Sequence, residues 1–99
     1  MFFEITESEL KQVYTSYFEP EGPLRLKIIP SKQKKKYLAL VHICRLFEIG
    51  KQYSEKEVNE ILIDVYYDYV SLRRSLIDYK FMERTTDGRA YWVIDNERN

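Results

Sequence analysis

The chain has 99 residues, 44% of them hydrophobic, with 16 basic and 16 acidic side chains. A single domain of that size buries roughly 65% of its unfolded surface, enough for one core without staples. Zero net charge removes the compositional argument for a nucleic-acid binder without excluding a local basic patch, and one cysteine, Cys44, excludes an internal disulfide.

Thr6-Glu7-Ser8-Glu9 is a capping box, in which a threonine and a glutamate three residues later satisfy each other's backbone N–H groups. Leu10, Val13, Tyr14, Tyr17 and Phe18 then share one face, so the spacing predicts an amphipathic helix over 7–18. Its apolar face must pack on the chain's own core or on a second copy, which makes residues 7–18 a candidate dimer contact. Glu19-Pro20-Glu21-Gly22-Pro23 ends the helix. Leu24, Leu26 and Ile28 alternate with Arg25 and Lys27, the pattern of a half-buried strand that Pro30 stops.

Ser31-Lys32-Gln33-Lys34-Lys35-Lys36 opens the next helix, with four lysines opposed to the macrodipole. They are either a phosphate-binding patch or a solvated helix start. The run from Tyr37 to Phe47 leaves little of the helix polar, which marks a central helix buried on more than one side. Cys44 reads as a small core residue and the lone His42 as structural. Gly50 is placed to be the helix C′ residue. The connector, Lys51-Gln52-Tyr53, can add one small strand beside a later hairpin.

Residues 53–92 organise the rest. Ser54-Glu55-Lys56-Glu57 is a second capping box, and Val58, Ile61, Leu62 and Val65 form one helical stripe. Asp68 is an N-cap for a following helix that turns Leu72, Leu76 and Ile77 inward. Phe81-Met82-Glu83-Arg84-Thr85 and Ala90-Tyr91-Trp92-Val93-Ile94 read as two strands. Asp87-Gly88 between them signals a two-residue type I′ hairpin, with Glu83 opposite Trp92 and Met82 opposite Val93. Helix, turn, helix, hairpin is the layout of a winged helix-turn-helix. The expected class is α+β: three helices and a C-terminal hairpin wing, with an extra N-terminal helix and strand. Residues 1–30 are the extension, 31–94 the core and 95–99 a polar tail expected to fray.

Charge is segregated along the chain. Residues 24–52 carry eight basic and one acidic side chain, whereas residues 1–23 and 53–68 each carry one basic and five acidic. No glycine-rich phosphate loop, Cys/His metal spacing or strained-elbow serine occurs, so neither catalysis, a cofactor nor a metal is expected. No start resembles a secretion signal and no apolar run is long enough to span a bilayer, so a cytoplasmic protein is expected.

A recognition helix offers its exposed N-terminal side chains to the major groove. Here Ser71, Arg73 and Arg74 are the candidates, since arginine can bond guanine O6 and N7 together. Arg74 lies about 200° round from Leu72 and points outward. Arg73 flanks the core face, where Asp64, Asp68 and Asp78 are potential partners. The wing offers Arg84, Thr86 and Arg89, and of these Arg89 at the tip, with the block Lys32, Lys34, Lys35 and Lys36, completes a candidate DNA-binding set.

Tyr53-Ser54-Glu55-Lys56-Glu57-Val58-Asn59, Asp68, Leu72-Arg73-Arg74, Leu76-Ile77-Asp78, Phe81-Met82-Glu83-Arg84 and Gly88 with Tyr91-Trp92 together resemble the bacterial family catalogued as domain of unknown function 2087. The resemblance covers about residues 30–93. It implies a winged-helix-like module associated with transcriptional regulators, and it supplies no activity. Lys80 departs from the pattern by standing where a glycine is usual. A left-handed backbone there costs a lysine about 1 kcal/mol.

Two functions remain open. In one, the chain is a sequence-specific regulator of double-stranded DNA, and the lysine block, Arg74 and Arg89 converge on one face free of Glu55 and Glu60. In the other, it is a winged-helix module that binds protein through its tyrosine-rich surface and the outer face of the hairpin. Nine tyrosines motivate the second reading, because tyrosine combines an apolar body with a polar tip.

Overall fold

A computed structural model describes residues 3–94; the tail at 95–99 lies outside them. The order is α1 (Glu7–Tyr17), α2 (Gln33–Cys44), α3 (Glu55–Ile63), α4 (Tyr69–Asp78), β1 (Met82–Arg84) and β2 (Tyr91–Val93). The fold is α+β, four helices followed by an antiparallel hairpin, and it is compatible with a winged helix. No helix among the described residues is long and apolar enough to cross a membrane.

Both capping boxes form. Thr6 accepts from the Glu9 N–H and Ser54 from the Glu57 N–H, and each glutamate returns the bond to its cap. Each cap stabilises its helix by about 1 kcal/mol. The apolar side of α1 packs on α2, where Leu10, Val13 and Phe18 are buried. That face is therefore occupied within the chain itself. His42 locks the two helices together. Its Nε2 lies 2.9 Å from the Leu10 carbonyl oxygen, and its ring lies against Tyr14 and Phe18.

α2 is the central helix, buried from Tyr37 through Val41 and again at Ile43 and Cys44. It stops earlier than the position of Gly50 suggests. The Leu46 and Phe47 N–H groups fold back onto the Ile43 and Cys44 carbonyls in tight turns, which sends the Phe47 ring into the core. Gly50 keeps a positive φ of 86°, but it bends the following loop and caps no helix.

The strand expected over 24–28 is reduced to a single bridge between Phe18 and Leu26. The segment divides its bonds: Leu26 N–H donates to the Val65 carbonyl and Lys27 N–H to the Tyr17 carbonyl. With two unrelated acceptors no ladder propagates, and Ile28 is left 59% exposed.

The hairpin register is Met82–Val93, Glu83–Trp92 and Arg84–Tyr91, as the alternation predicts. Its turn differs from the predicted one. Gly88 has a φ of 74°, but Asp87 has no positive φ, so a type I′ turn does not form. Instead Thr85 N–H donates to the Ala90 carbonyl across a four-residue loop, and Gly88 N–H closes onto the Thr85 carbonyl. The reason is Thr85. Its hydroxyl donates to Asp87 Oδ1 at 2.6 Å and accepts the Arg89 and Ala90 N–H groups, which fixes the wider loop. Tyr53 bridges Tyr91 on the other side of β2, with two bonds of 2.8 Å, so the strand expected of the connector is reduced to one bridge.

α4 ends on an αL cap. Lys80 has a φ of 67°; its N–H donates to the Ile77 carbonyl, and the Phe81 N–H reaches the Leu76 carbonyl. These are the two bonds of a Schellman motif. Phe81, fully buried, anchors the chain as it turns into β1. The lysine therefore occupies the strained position that its place in the family pattern implies.

Candidate nucleic-acid interface

The chain order places α4 between α3 and the wing, and Tyr53 makes a single bridge to the outer edge of β2. Between α4 and the wing lies a cleft of about 480 Å³ whose lining includes Arg73, Arg74, Arg84, Glu55, Asp78 and Asp87. Three cations and three carboxylates share it.

Arg74 is exposed, and among the described residues no hydrogen bond or ion pair engages it. The helical rotation argument holds, since Leu72 and Leu76 are buried on the opposite side. Arg73 is committed elsewhere. Its side chain is 16% exposed, Nη1 donates to Asn59 Oδ1 at 2.6 Å, and Nη2 lies 3.4 Å from Glu55 Oε2. Its partners are thus on α3, in place of Asp64, Asp68 or Asp78. The bridge joins the two helices of the helix-turn-helix at their facing surfaces. An asparagine in a helix interior is a poor helix former, and Asn59 is the sequence signal for this tie. The Glu55 partnership has no local spacing to reveal it.

Ser71 serves the cap. Its N–H and hydroxyl both donate to the Asp68 carboxylate, at 3.2 and 2.7 Å. The hydroxyl is therefore already used, and the candidate loses its free donor.

In the wing, Arg84 Nη1 donates to the Thr85 and Thr86 carbonyls at 3.2 and 3.3 Å. Arg84 Nη1 and Glu55 Oε1 each lie 3.6 Å from where a Cβ on Gly88 would sit. Arg89 projects into solvent, 88% exposed, with Nε 3.6 Å from Asp87 Oδ2. The Thr85 hydroxyl, then the Arg89 N–H, hold the Asp87 carboxyl below its ordinary pKa.

The lysine block does not line this cleft. Lys32 is the exposed N-cap of α2 and makes no side-chain cap bond. Lys34 pairs with Glu9 Oε2 at 2.7 Å, which offsets its opposition to the dipole and holds the Glu9 carboxyl below its ordinary pKa. Lys35 is exposed, and Lys36 sits 5.7 Å over the Tyr79 ring at the end of α4. The geometry therefore brings Arg73 and Arg74 together with Arg84, a wing arginine considered above but left out of the candidate set. The convergence expected of a DNA reader is not met in this cleft: Arg89 stays at the tip, the lysines stay on α2, and Glu55, though not Glu60, sits among the arginines.

The tyrosines are mostly interior. Tyr37, Tyr53 and Tyr91 are buried and five others half-buried, leaving Tyr67, 79% exposed, as the one open ring. Among the described residues no three His, Cys, Asp or Glu side chains gather as metal ligands would.

No curated protein and no solved structure matches the chain. Residues 25–93 match a bacterial family model, and the chain belongs to the family described as "Uncharacterized protein conserved in bacteria (DUF2087)".

Proposed function

We propose that this chain binds double-stranded DNA as a winged-helix transcriptional regulator, with α4 in the major groove and the wing on the backbone. The observation that carries the reading is Arg74: an exposed, unengaged arginine on the second helix of a helix-turn-helix, in the cleft shared with the wing. In this reading Arg84 and Arg89 neutralise phosphates from the wing, whereas Arg73 holds α3 against α4. Lys32 and Lys35 are exposed and supply further charge from α2.

The free cations are few, so the interaction is modest. Two to four phosphate contacts give a slope of log K against log salt of about −2 to −4. Anisotropy of a fluorescent mixed-sequence duplex, titrated at several salt concentrations, measures that slope. Arg89→Ala should reduce it by about one contact, and Arg74→Ala should also flatten discrimination between sequences. A folded protein without binding at low salt would refute the reading.

A second reading has its own support. Glu55, Asp78 and Asp87 balance the three arginines, and a neutral cleft suits a protein partner better than a polyanion. Binding that persists in high salt would favour it.

A further inference from the structure

Two apolar hollows meet at Val93, away from the α4 cleft. The first, of about 390 Å³, is walled by Val41, Cys44, Phe47 and Ile49. The second, of about 340 Å³, lies against Ile49, Lys51 and Trp92. Ile49 and Val93 belong to both, so the two are halves of one groove between the 45–52 loop and β2. Ile49 is 64% exposed beside it, and Leu46, on the same loop, is 42% exposed.

Register explains why the groove is open. Toward β1 the bonded pairs are Thr85–Ala90 and Phe81–Ile94, so Tyr91 and Val93 turn their N–H and C=O groups to the other edge. Tyr91 spends both on Tyr53. Two residues on, the antiparallel partner of Val93 would be Lys51. The chain bends away there through Gly50, and among the described residues no backbone bond reaches Val93 on that edge. Among the described residues, an unpaired strand edge therefore faces an apolar groove.

We infer that this groove takes an extended peptide segment of a partner protein, which adds to β2 as a strand at Val93. The open backbone edge selects the occupant: a helix satisfies its own N–H and C=O groups and offers Val93 nothing, whereas a strand pairs with it. Side chains at i and i+2 lie on one face of a strand and can fill the two hollows with apolar groups. Arg45 and Lys51 against the single Glu48 favour an acidic flank. Residues 95–99, Asp-Asn-Glu-Arg-Asn, carry no apolar anchor and do not match. The site shares no residue with the α4 cleft, so it stands whether or not DNA is bound there.

Amide exchange on the full chain is the first test. The Tyr91 amide should exchange at least tenfold more slowly than that of Val93; equal protection would close the edge and overturn the inference. The probe is then acetyl-Asp-Val-Thr-Val-Asp-amide, followed by ¹⁵N spectra. Binding should shift the Val93 amide and the Trp92 indole, and Ile49→Glu, at an exposed position, should weaken it at least tenfold. Peptides N-methylated on the two valines or on the threonine block opposite edges, so their affinities should differ at least tenfold. No shift at Val93, equal affinities of the two methylated peptides, or a dimer in sedimentation that Ile49→Glu dissociates would each overturn it, the last by making a second copy the occupant.

Discussion

Lys80→Gly should make this protein more stable. Lys80 is the C′ residue of α4, at a φ of 67°, in the left-handed region where a Cβ crowds the following carbonyl. That crowding costs roughly 1–2 kcal/mol, and glycine avoids it. Glycine also adds about 0.5–1 kcal/mol of unfolded-state entropy, so the net gain is about 0.5–1 kcal/mol. The lysine charge favours a helix C-terminus by a few tenths of a kcal/mol, which the substitution forfeits. Lys80→Ala removes the same charge but keeps the Cβ, so the difference between the glycine and alanine variants is the strain net of glycine's unfolded-state entropy, about 0.5–1 kcal/mol. In a domain of this size that corresponds to roughly 2–8 °C in Tm. Urea unfolding of the parent and both variants, with equal m-values, measures it. A glycine variant no more stable than the alanine variant would refute the reasoning and mean that the strain of the Schellman turn does not exceed glycine's entropy cost.

Other outcomes follow from the same contacts. Arg73→Ala should destabilise by about 2 kcal/mol, most of it from the charged bond to Asn59, since the Glu55 carboxylate is nearly half exposed. Arg73→Lys should recover only part, because an ammonium cannot reproduce the guanidinium fork. Phe81→Ala should cost about 3–5 kcal/mol in the same urea assay, as it empties the centre of the core beneath the wing. The Asp87 carboxyl has a lowered pKa, so its hold on the wing loop is complete above its unfolded value and lost as pH falls through the lower folded one. NMR titration of its side chain should show a midpoint below that of an ordinary aspartate, and Thr85→Val should raise it.

What the chain declares in advance is its local chemistry. The two capping boxes, the Asp68 cap, the buried stripe on α3 and the cross-strand pairs of the hairpin all depend on residues within a few positions of one another, and each forms. The strained Lys80 was also visible, as a departure from a family pattern. Choices that depend on distant partners were not. Alternation at 24–28 shows which side chains can face inward, but the backbone there bonds to the ends of α1 and α3 and builds no ladder. The wing turn was decided by a threonine hydroxyl outranking the Asp-Gly preference. At the candidate site Arg74 was legible from rotation about the helix axis. Arg84 was legible as a wing side chain, but its meeting with Arg73 and Arg74 in one cleft, the capture of Arg73 by Glu55 and the use of Ser71 by its own cap needed the three-dimensional arrangement.

Adding a duplex oligonucleotide to the ¹⁵N-labelled chain at low salt tests DNA binding by α4 and the wing most directly. The prediction is shifts concentrated on α4 around Arg74 and on the loop from Thr85 to Arg89, reversed by salt. Spectra unchanged by DNA, or shifts confined to the 45–52 loop and β2, would contradict it.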